Sequence, residues 1–327
     1  MAKRKRPRLA VTMGDPAGIG PEVIVKALAR RRHPADLVVV GYRPFFERAA
    51  SVCGERLEKL LGPRAQLVEP EPPIGANIPI GRVSARAGQA AALSIIAALR
   101  LVQQDDCDGM VTAPINKASL ARAGLKWPGH TEMLADLTFT KEVVMMLACP
   151  TLRVAMVTIH ERLLSAIRSL TAEKIVGCAE ITERELARYF TSKKPRLALA
   201  ALNPHAGEEG LFGDEEEKVL VPAVRKLKSK GIDITGPVSA DAVYLQAAGG
   251  RFDAVISLYH DQGMIPIKLL AGRRAVNVTL GLPVIRTSVD HGTAFDIAGK
   301  GIADERSLIE AIKVAAAMAK KRAEAAL

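Results

Sequence analysis

The sequence predicts an α/β fold built on a largely parallel sheet. Three observations carry this expectation. Short runs rich in Val, Ile, Leu and Ala recur along the chain. Most are apolar at every position rather than at alternate ones, as strands covered on both faces should be. Longer amphipathic segments separate them, and a β-α-β alternation of this kind implies crossover connections.

Taken in order, strands are expected over 9–13, 37–41, 109–112, 143–147, 154–159, 197–202, 254–258, 275–278 and 284–287. Helices are expected over 21–31, 87–103, 161–170, 172–190, 214–230, 240–248 and 304–326. The first strand stops at Gly14-Asp15-Pro16. Pro21 suits the first turn of the following helix, where the N–H it lacks would have no helical partner. The Pro-rich stretch 69–81 breaks the rhythm and reads as a surface loop. Segment 87–102 is the most apolar, but Gln89 and Arg100 interrupt it. No apolar run reaches the ~18–20 residues that a bilayer span needs. Asp304 suits the N-cap of the last helix. No repeat and no linker composition is visible, so consecutive and interleaved domains both stay open.

The length, 327 residues, is enough for about two domains of ~100–200 residues each. With 49% hydrophobic and 25% charged residues, disorder and a fibrous fold are excluded. Aromatics are only 4%, so Ala, Val, Leu and Ile must build the core. The formal net charge is +11; removing Lys3, Arg4, Lys5, Arg6 and Arg8 leaves +6, an excess that suits anionic substrates. That basic stretch is expected to be a solvated tail, because 9–13 is too short for a signal-peptide core. A cytoplasmic protein with no membrane partner is therefore expected. Elsewhere Lys and Arg are mixed with acids and lack an aromatic platform, which argues against a nucleic-acid partner. Cys53, Cys107, Cys149 and Cys178 form no C-x-x-C pair and read as small buried hydrophobes, not as a zinc knuckle or disulfide framework.

In open α/β folds ligands bind beyond the carboxyl ends of the strands. Three of the six histidines fall there: His160, His205 and His260 each follow an expected strand. Three neutral imidazoles meeting at one point would hold a divalent metal with positions open to substrate. Any one of them alone reads first as a strand cap or loop residue; the three together make the metal site an equal reading, and the spacing does not decide. His130 and Thr131, in Pro128-Gly-His-Thr-Glu132, start a helix whose free amides suit an anion; a simple Thr131 N-cap is the equal alternative. Segment 14–22 is glycine-rich but matches neither dinucleotide nor P-loop pattern, so it reads as a tight turn. Lys268, Asn277 and Arg286 lie near strand ends and can grip a phosphate or carboxylate, or be ordinary surface groups. The stretch from His291 and Gly292 through Ala294 and Asp296 to Lys300 suits a loop wrapping a flat ligand, or an ordinary turn.

Together these segments resemble the 4-hydroxythreonine-4-phosphate dehydrogenase (PdxA) family over nearly the whole chain. The resemblance rests on Met13-Gly-Asp-Pro-Ala-Gly-Ile-Gly-Pro-Glu22, Thr112-Ala-Pro-Ile-Asn-Lys117, Gly129-His-Thr-Glu132, Asn203-Pro-His-Ala-Gly207, Tyr259-His-Asp-Gln-Gly263 and Gly281-Leu-Pro-Val-Ile-Arg-Thr-Ser-Val-Asp-His-Gly-Thr-Ala294. It implies an isocitrate/isopropylmalate dehydrogenase-like fold, two α/β domains around a central cleft. The first, discontinuous domain would be 1–125 plus 275–327, on the cofactor side; the second, 126–274, would carry the metal site and dimer interface. It further implies a homodimer with the active site at the interface. His160, His205 and His260 match the metal ligands, which are shared between subunits. His130, Thr131, Lys268, Asn277 and Arg286 match the substrate-binding residues, and His291, Gly292, Ala294 and Asp296 the cofactor loop.

The implied reaction is oxidation of 4-phosphohydroxy-L-threonine at C3 by NAD or NADP, with decarboxylation to 3-amino-2-oxopropyl phosphate. The metal would be Zn2+, Co2+, Mn2+ or Mg2+. Asp241, Asp261 and Lys268 are candidates for accepting the hydroxyl proton. Paralogues acting on 4-phospho-D-threonate or 4-phospho-D-erythronate share every part except contacts to C2, and 13–15, 157–161 and 265–270 resemble that branch. A phosphate acyltransferase or a non-catalytic binding protein on the same fold is a more distant alternative.

Overall fold

The computed structural model describes residues 6–30, 32–191 and 193–325. Lys3, Arg4 and Lys5, and the expected helix ends at Arg31 and Ala326, lie outside them. The described chain forms two compact units, one from Met1–Lys141 with Leu282–Leu327, the other from Glu142–Gly281.

The first unit opens with β1 (Arg8–Thr12), α1 (Gly20–Ala29), β2 (Asp36–Val40), α2 (Arg43–Val52), α3 (Leu57–Leu60), β3 (Ala65–Val68), α4 (Ala85–Gln103), β4 (Gly109–Thr112), α5 (Lys117–Arg122) and α6 (His130–Leu137). The chain then builds the second unit from β5 (Val144–Ala148), β6 (Arg153–Met156), α7 (Leu163–Ser169), α8 (Ala172–Tyr189), β7 (Arg196–Ala200), α9 (Val221–Ser229), β8 (Asp233–Val238), α10 (Ala240–Ala248), β9 (Ala254–Ser257), α11 (His260–Ala271) and β10 (Val276–Leu280). It returns to the first unit with β11 (Arg286–Val289) and α12 (Arg306–Ala325).

In the first unit the strands run in the order β3-β2-β1-β4-β11, all parallel. Thr12 pairs with Val40 and Thr112, and Thr112 with Ser288, so their carboxyl ends are level. The loops that follow them share one edge. Mostly aliphatic side chains close the core: Leu9, Ala10, Val11, Val38, Ile95 and Met110 are all buried, joined by Tyr42, Phe45 and Phe46.

The second unit holds the antiparallel part of the largely parallel sheet. Its order is β10-β5-β6-β9-β7-β8, and β10, β5 and β6 are antiparallel to their neighbours in that series. Only the turn 149–152 separates β5 from β6, far too short for a crossover. The remaining strands are parallel, and β6, β9 and β7 end level, with Met156 opposite Ser257 and Leu199 opposite Ile256.

Several local expectations also shift. Arg6 and Arg8 are part of the fold rather than a tail: Arg6 lies 3.4 Å from Asp36, and Arg8 opens β1. The expected helix 214–230 divides into a π-turn over Glu216–Leu220 and α9. The Asp304 carboxylate accepts from the Arg306 N–H as α12 begins. α4, at 19 residues, is long and apolar enough to cross a membrane by length and composition, contrary to the sequence expectation. More than half of that stretch is buried within the protein. Its Gly88 lies so close to α5 that a Cβ would fall 2.1 Å from the Ser119 carbonyl oxygen. No disulfide forms among the described residues: Cys107, Cys149 and Cys178 are buried and Cys53 is half-buried.

Candidate active site

Each unit carries its own set of candidate residues, some in the loops beyond the carboxyl ends of its parallel strands and others, Arg286, Lys268 and Asn277, within strands and a helix. In the first unit the turn after β1 is a structural hub. Gly14 adopts φ +73°, and a Cβ there would sit 2.4 Å from the Pro114 carbonyl oxygen. The Asp15 N–H donates to that same oxygen, and the Asp15 carboxylate accepts from the Ala17 N–H. Burial raises the Asp15 carboxyl above its ordinary pKa. The glycines therefore serve close backbone packing, one of the two uses a tight turn has.

The Ile19 N–H donates to the Thr293 carbonyl, tying this turn to the loop that follows β11. Buried Glu22 holds the far end of that loop, accepting from the N–H groups of Gly299 and Gly301. Between these anchors the loop is shaped for close approach. A Cβ on Gly292 would meet nothing within 4 Å. His291 Nε2 is buried without a hydrogen-bond partner, Ala294 holds φ +43°, and Asp296 is exposed. Glu22→Ala leaves two backbone donors without their acceptor. It is expected to lower stability by about 2 kcal/mol in urea denaturation; an unchanged midpoint would remove Glu22 from this role.

Arg286 opens β11 and is only 2% exposed. Its Nε and Nη2 donate to the Thr112 hydroxyl at 3.2 and 2.7 Å. Burial pushes the guanidinium down to about 10, and Glu132 on α6 opposes that shift. His130 is the first residue of α6, and burial followed by the Arg286 charge drives its imidazole well below the ordinary range. His130 is therefore neutral at neutral pH, and its Nε2 is buried without a hydrogen-bond partner. Gly129, not Thr131, occupies the N-cap, with no side-chain bond there, so the first amides of α6 stay available and Thr131 lies in the first turn. A buried cation, a neutral imidazole and a helix start suit an anionic, hydroxylated ligand.

In the second unit the level ends of β6 and β9 bring His160 and His260 together, with ring centroids 5.6 Å apart. His260 begins α11, and its Nδ1 is 2.7 Å from Asp261 Oδ1. With Nδ1–H donated to that carboxylate, Nε2 keeps its lone pair for a metal. His205 does not join this pair: among the described residues no three His, Cys, Asp or Glu side chains are grouped to hold a metal ion. It sits instead in a left-handed turn, with positive φ from His205 through Glu209. Asp241 lies near enough to feel its charge. The Ser239 hydroxyl, 2.6 Å from Asp241 Oδ1, is the main cause holding that carboxyl below its usual range. Buried Glu216 fixes the entry to the His205 turn, accepting from the N–H of Leu202, the N–H of Asn203 and the Asn203 side chain. Lys268 lies farther along α11, and Asn277, on β10, has a buried Oδ1 without a hydrogen-bond partner.

Of the three histidines expected to converge, His160 and His260 lie near each other beyond two strand ends and His205 does not join them. Sequence reasoning missed Glu22, Thr112 and Glu216. Glu22 and Thr112 sit inside quoted motif blocks but looked like helix and strand residues; Glu216 carried no local signal.

The fold is isocitrate dehydrogenase-like. An isocitrate dehydrogenase from Methylococcus capsulatus matches it with a TM-score of 0.51 at 14% identity, over 98% of this chain and 88% of that one. The chain belongs to the family described as pyridoxal phosphate biosynthetic protein PdxA, whose model matches residues 33–315. It is 46% identical to a 4-hydroxythreonine-4-phosphate dehydrogenase of Geobacter metallireducens, over 96% of each chain. It is also 46% identical to a D-threonate 4-phosphate dehydrogenase of Cupriavidus necator, over 97% of this chain and 98% of that one. A crystal structure of 4-hydroxythreonine-4-phosphate dehydrogenase from Klebsiella pneumoniae matches with a TM-score of 0.88 at 39% identity, over 97% and 99% of the two chains. The protein is accordingly an oxidoreductase of the dehydrogenase type. A phosphotransacetylase from Staphylococcus aureus shares the fold at a TM-score of 0.54 and 14% identity, so the family match, not the fold, separates it from an acyltransferase.

Proposed function

We propose that the protein oxidises 4-phosphohydroxy-L-threonine at C3 with a nicotinamide dinucleotide and a divalent metal, and releases CO2 to give 3-amino-2-oxopropyl phosphate. The observation that carries this reading is the His160–His260 pair, with Asp261 orienting one imidazole. Two imidazoles and a supporting carboxylate are a donor set that Zn2+, Co2+ or Mn2+ accepts. When bound, such an ion stabilises negative charge developing on substrate oxygens. NAD or NADP, the hydride acceptor, is assigned to the loop bearing His291, Gly292, Ala294 and Asp296.

The chain's own groups do the rest. Arg286, His130 and Thr131 in the first unit, and Lys268 and Asn277 in the second, are assigned to substrate binding, which fixes how the C3 hydrogen is presented. The hydroxyl proton is assigned to Lys268, which takes it as a free amine hydrogen-bonded to that hydroxyl and becomes an ammonium, rather than as a cation paired with the anionic groups. Asp241 is a poor acceptor because Ser239 lowers its pKa, and Asp261 is engaged by His260. The same assignment gives the first unit the cofactor and the second the metal and the dimer interface. Exposed Leu163, Leu164, Leu245, Ile265, Leu269 and Leu270 on α7, α10 and α11 support a homodimer built on the second unit. His205, held apart from the other imidazoles of its own chain, would then be supplied to the partner's pair. We place the enzyme in the cytoplasm, without nucleic-acid or membrane partners.

The equal identity to the C. necator D-threonate 4-phosphate dehydrogenase favours a second reading, in which the substrate bears a hydroxyl at C2. NADH or NADPH formation from 4-phosphohydroxy-L-threonine and 4-phospho-D-threonate, assayed in parallel with and without a chelator, tests both. Chelator-sensitive turnover of the amino acid is the expected result. Turnover of the sugar acid alone would establish the second reading, and turnover of neither would overturn both.

A further inference from the structure

Two buried side chains, Thr158 and Gln262, tie together the three segments carrying His160, His205 and His260. The Thr158 hydroxyl, buried two residues before His160, donates to the Leu258 carbonyl at 2.8 Å, two residues before His260. The Gln262 side chain, also buried, uses both ends of its amide. Its Oε1 accepts from the Leu258 N–H at 2.8 Å, and its Nε2 donates to the Ala201 carbonyl at 2.7 Å. Ala201 immediately follows β7 and leads into the His205 turn. The amide orientation is forced, because an N–H needs the oxygen and a carbonyl needs the NH2. Leu258 is thus gripped at its C=O by Thr158 of the His160 segment and at its N–H by Gln262 of its own segment, whose Nε2 reaches on to the start of the His205 turn.

We propose that Thr158 and Gln262 are positioning residues for the histidine site. They fix the His160 and His260 backbones relative to each other, and both relative to the His205 turn. The proposal rests on the metal reading above. The parallel ladder itself ends short of the histidines, at Met156, Ser257 and Leu199, with the Val157 N–H to Ser257 carbonyl bond continuing it between β6 and β9. Glutamine is the residue that can serve at 262. Glutamate would set a carboxylate against the Ala201 carbonyl, and an apolar side chain would leave the Leu258 N–H and the Ala201 carbonyl unmatched.

The test is Co2+ titration of the metal-free full-length protein, following the visible absorption band and the affinity by chelator competition, with thermal melting of the metal-free form alongside. Wild type, His260→Ala, Thr158→Val, Thr158→Ser and Gln262→Met are compared. Wild type is expected to bind Co2+ in a way that His260→Ala abolishes. Thr158→Val and Gln262→Met are expected to weaken binding by about 10–100-fold and shift the band, as loss of an outer partner does. Thr158→Ser, which keeps the hydroxyl, should restore the wild-type band and affinity. Wild-type Co2+ affinity and spectrum in Thr158→Val and Gln262→Met would overturn the proposal, even with lowered melting temperatures, since the bonds would then serve stability only. If Gln262→Met does not fold, the Val and Ser pair at 158 decides. No His260-dependent Co2+ binding by wild type would overturn the metal reading first and this proposal with it.

Discussion

Arg286→Met is expected to lower kcat/KM by about a thousandfold without lowering the melting temperature of the unliganded protein. The guanidinium is 2% exposed, and burial has pushed it down to about 10. A shift of that size corresponds to about 3 kcal/mol of disfavoured charge. The sign follows from the direction: the folded value lies below the unfolded one, so the penalty is fully present below about pH 10 and is relieved as pH rises beyond it. An incoming phosphate or carboxylate offsets the same penalty at neutral pH. Removing one partner of a buried charge pair costs about 2–5 kcal/mol in binding, which sets the expected loss. Methionine fills similar space and lifts the penalty of a buried charge, which offsets the bonds to Thr112 and the attraction of Glu132 that are given up, so the unliganded protein should be about as stable. Arg286→Lys keeps the charge but not the planar fork, and should fall between the two. His130 provides a second readout. Its pKa is lowered by burial first and by Arg286 second, so in the Met variant its imidazole should titrate at higher pH, detectable by NMR. A kcat/KM within tenfold of wild type would remove Arg286 from the substrate site.

What the sequence made legible follows the physics of burial. Central strands such as β4 and β9 are buried at every position and so read as continuous apolar runs. The two strands it hid, β3 and β8, are the edges of their sheets. Ala-Gln-Leu-Val in β3 is mostly half-exposed, and β8 contains Gly236 and Pro237, which an edge tolerates and a centre does not. α11 was hidden by Gly263 and Pro266, and by an outer face carrying Ile265, Leu269 and Leu270, which spoils the one-sided pattern of an ordinary surface helix. At the site, residue types at strand ends located the histidines. The supporting bonds could not be seen, because Glu216 reaches the Asn203 segment, and Gln262 reaches Ala201, only through the fold.

His260→Ala is expected to abolish stoichiometric metal binding and to lower kcat on the order of a thousandfold, the several kcal/mol that charge stabilisation by a metal supplies. One imidazole cannot replace the pair: His160 alone lacks both the second nitrogen donor and the Asp261-oriented ring. His160→Ala should match it. Asp261→Asn, which disturbs only the orientation of His260, should lose about 10–100-fold in metal affinity. His205 is the informative case. Since it is not grouped with the other two in its own chain, a homodimer must bring it from the partner for all three to meet. His205→Ala and His260→Ala chains, each inactive alone, should then complement when co-expressed. Half of the dimers would be mixed, and each mixed dimer would hold one intact site of two, giving about a quarter of wild-type activity. Activity no higher than that of the separate variants, in dimers shown to be mixed, would place His205 outside the shared site. Recovery near a quarter would require that one protomer's pair and its partner's His205 serve the same metal.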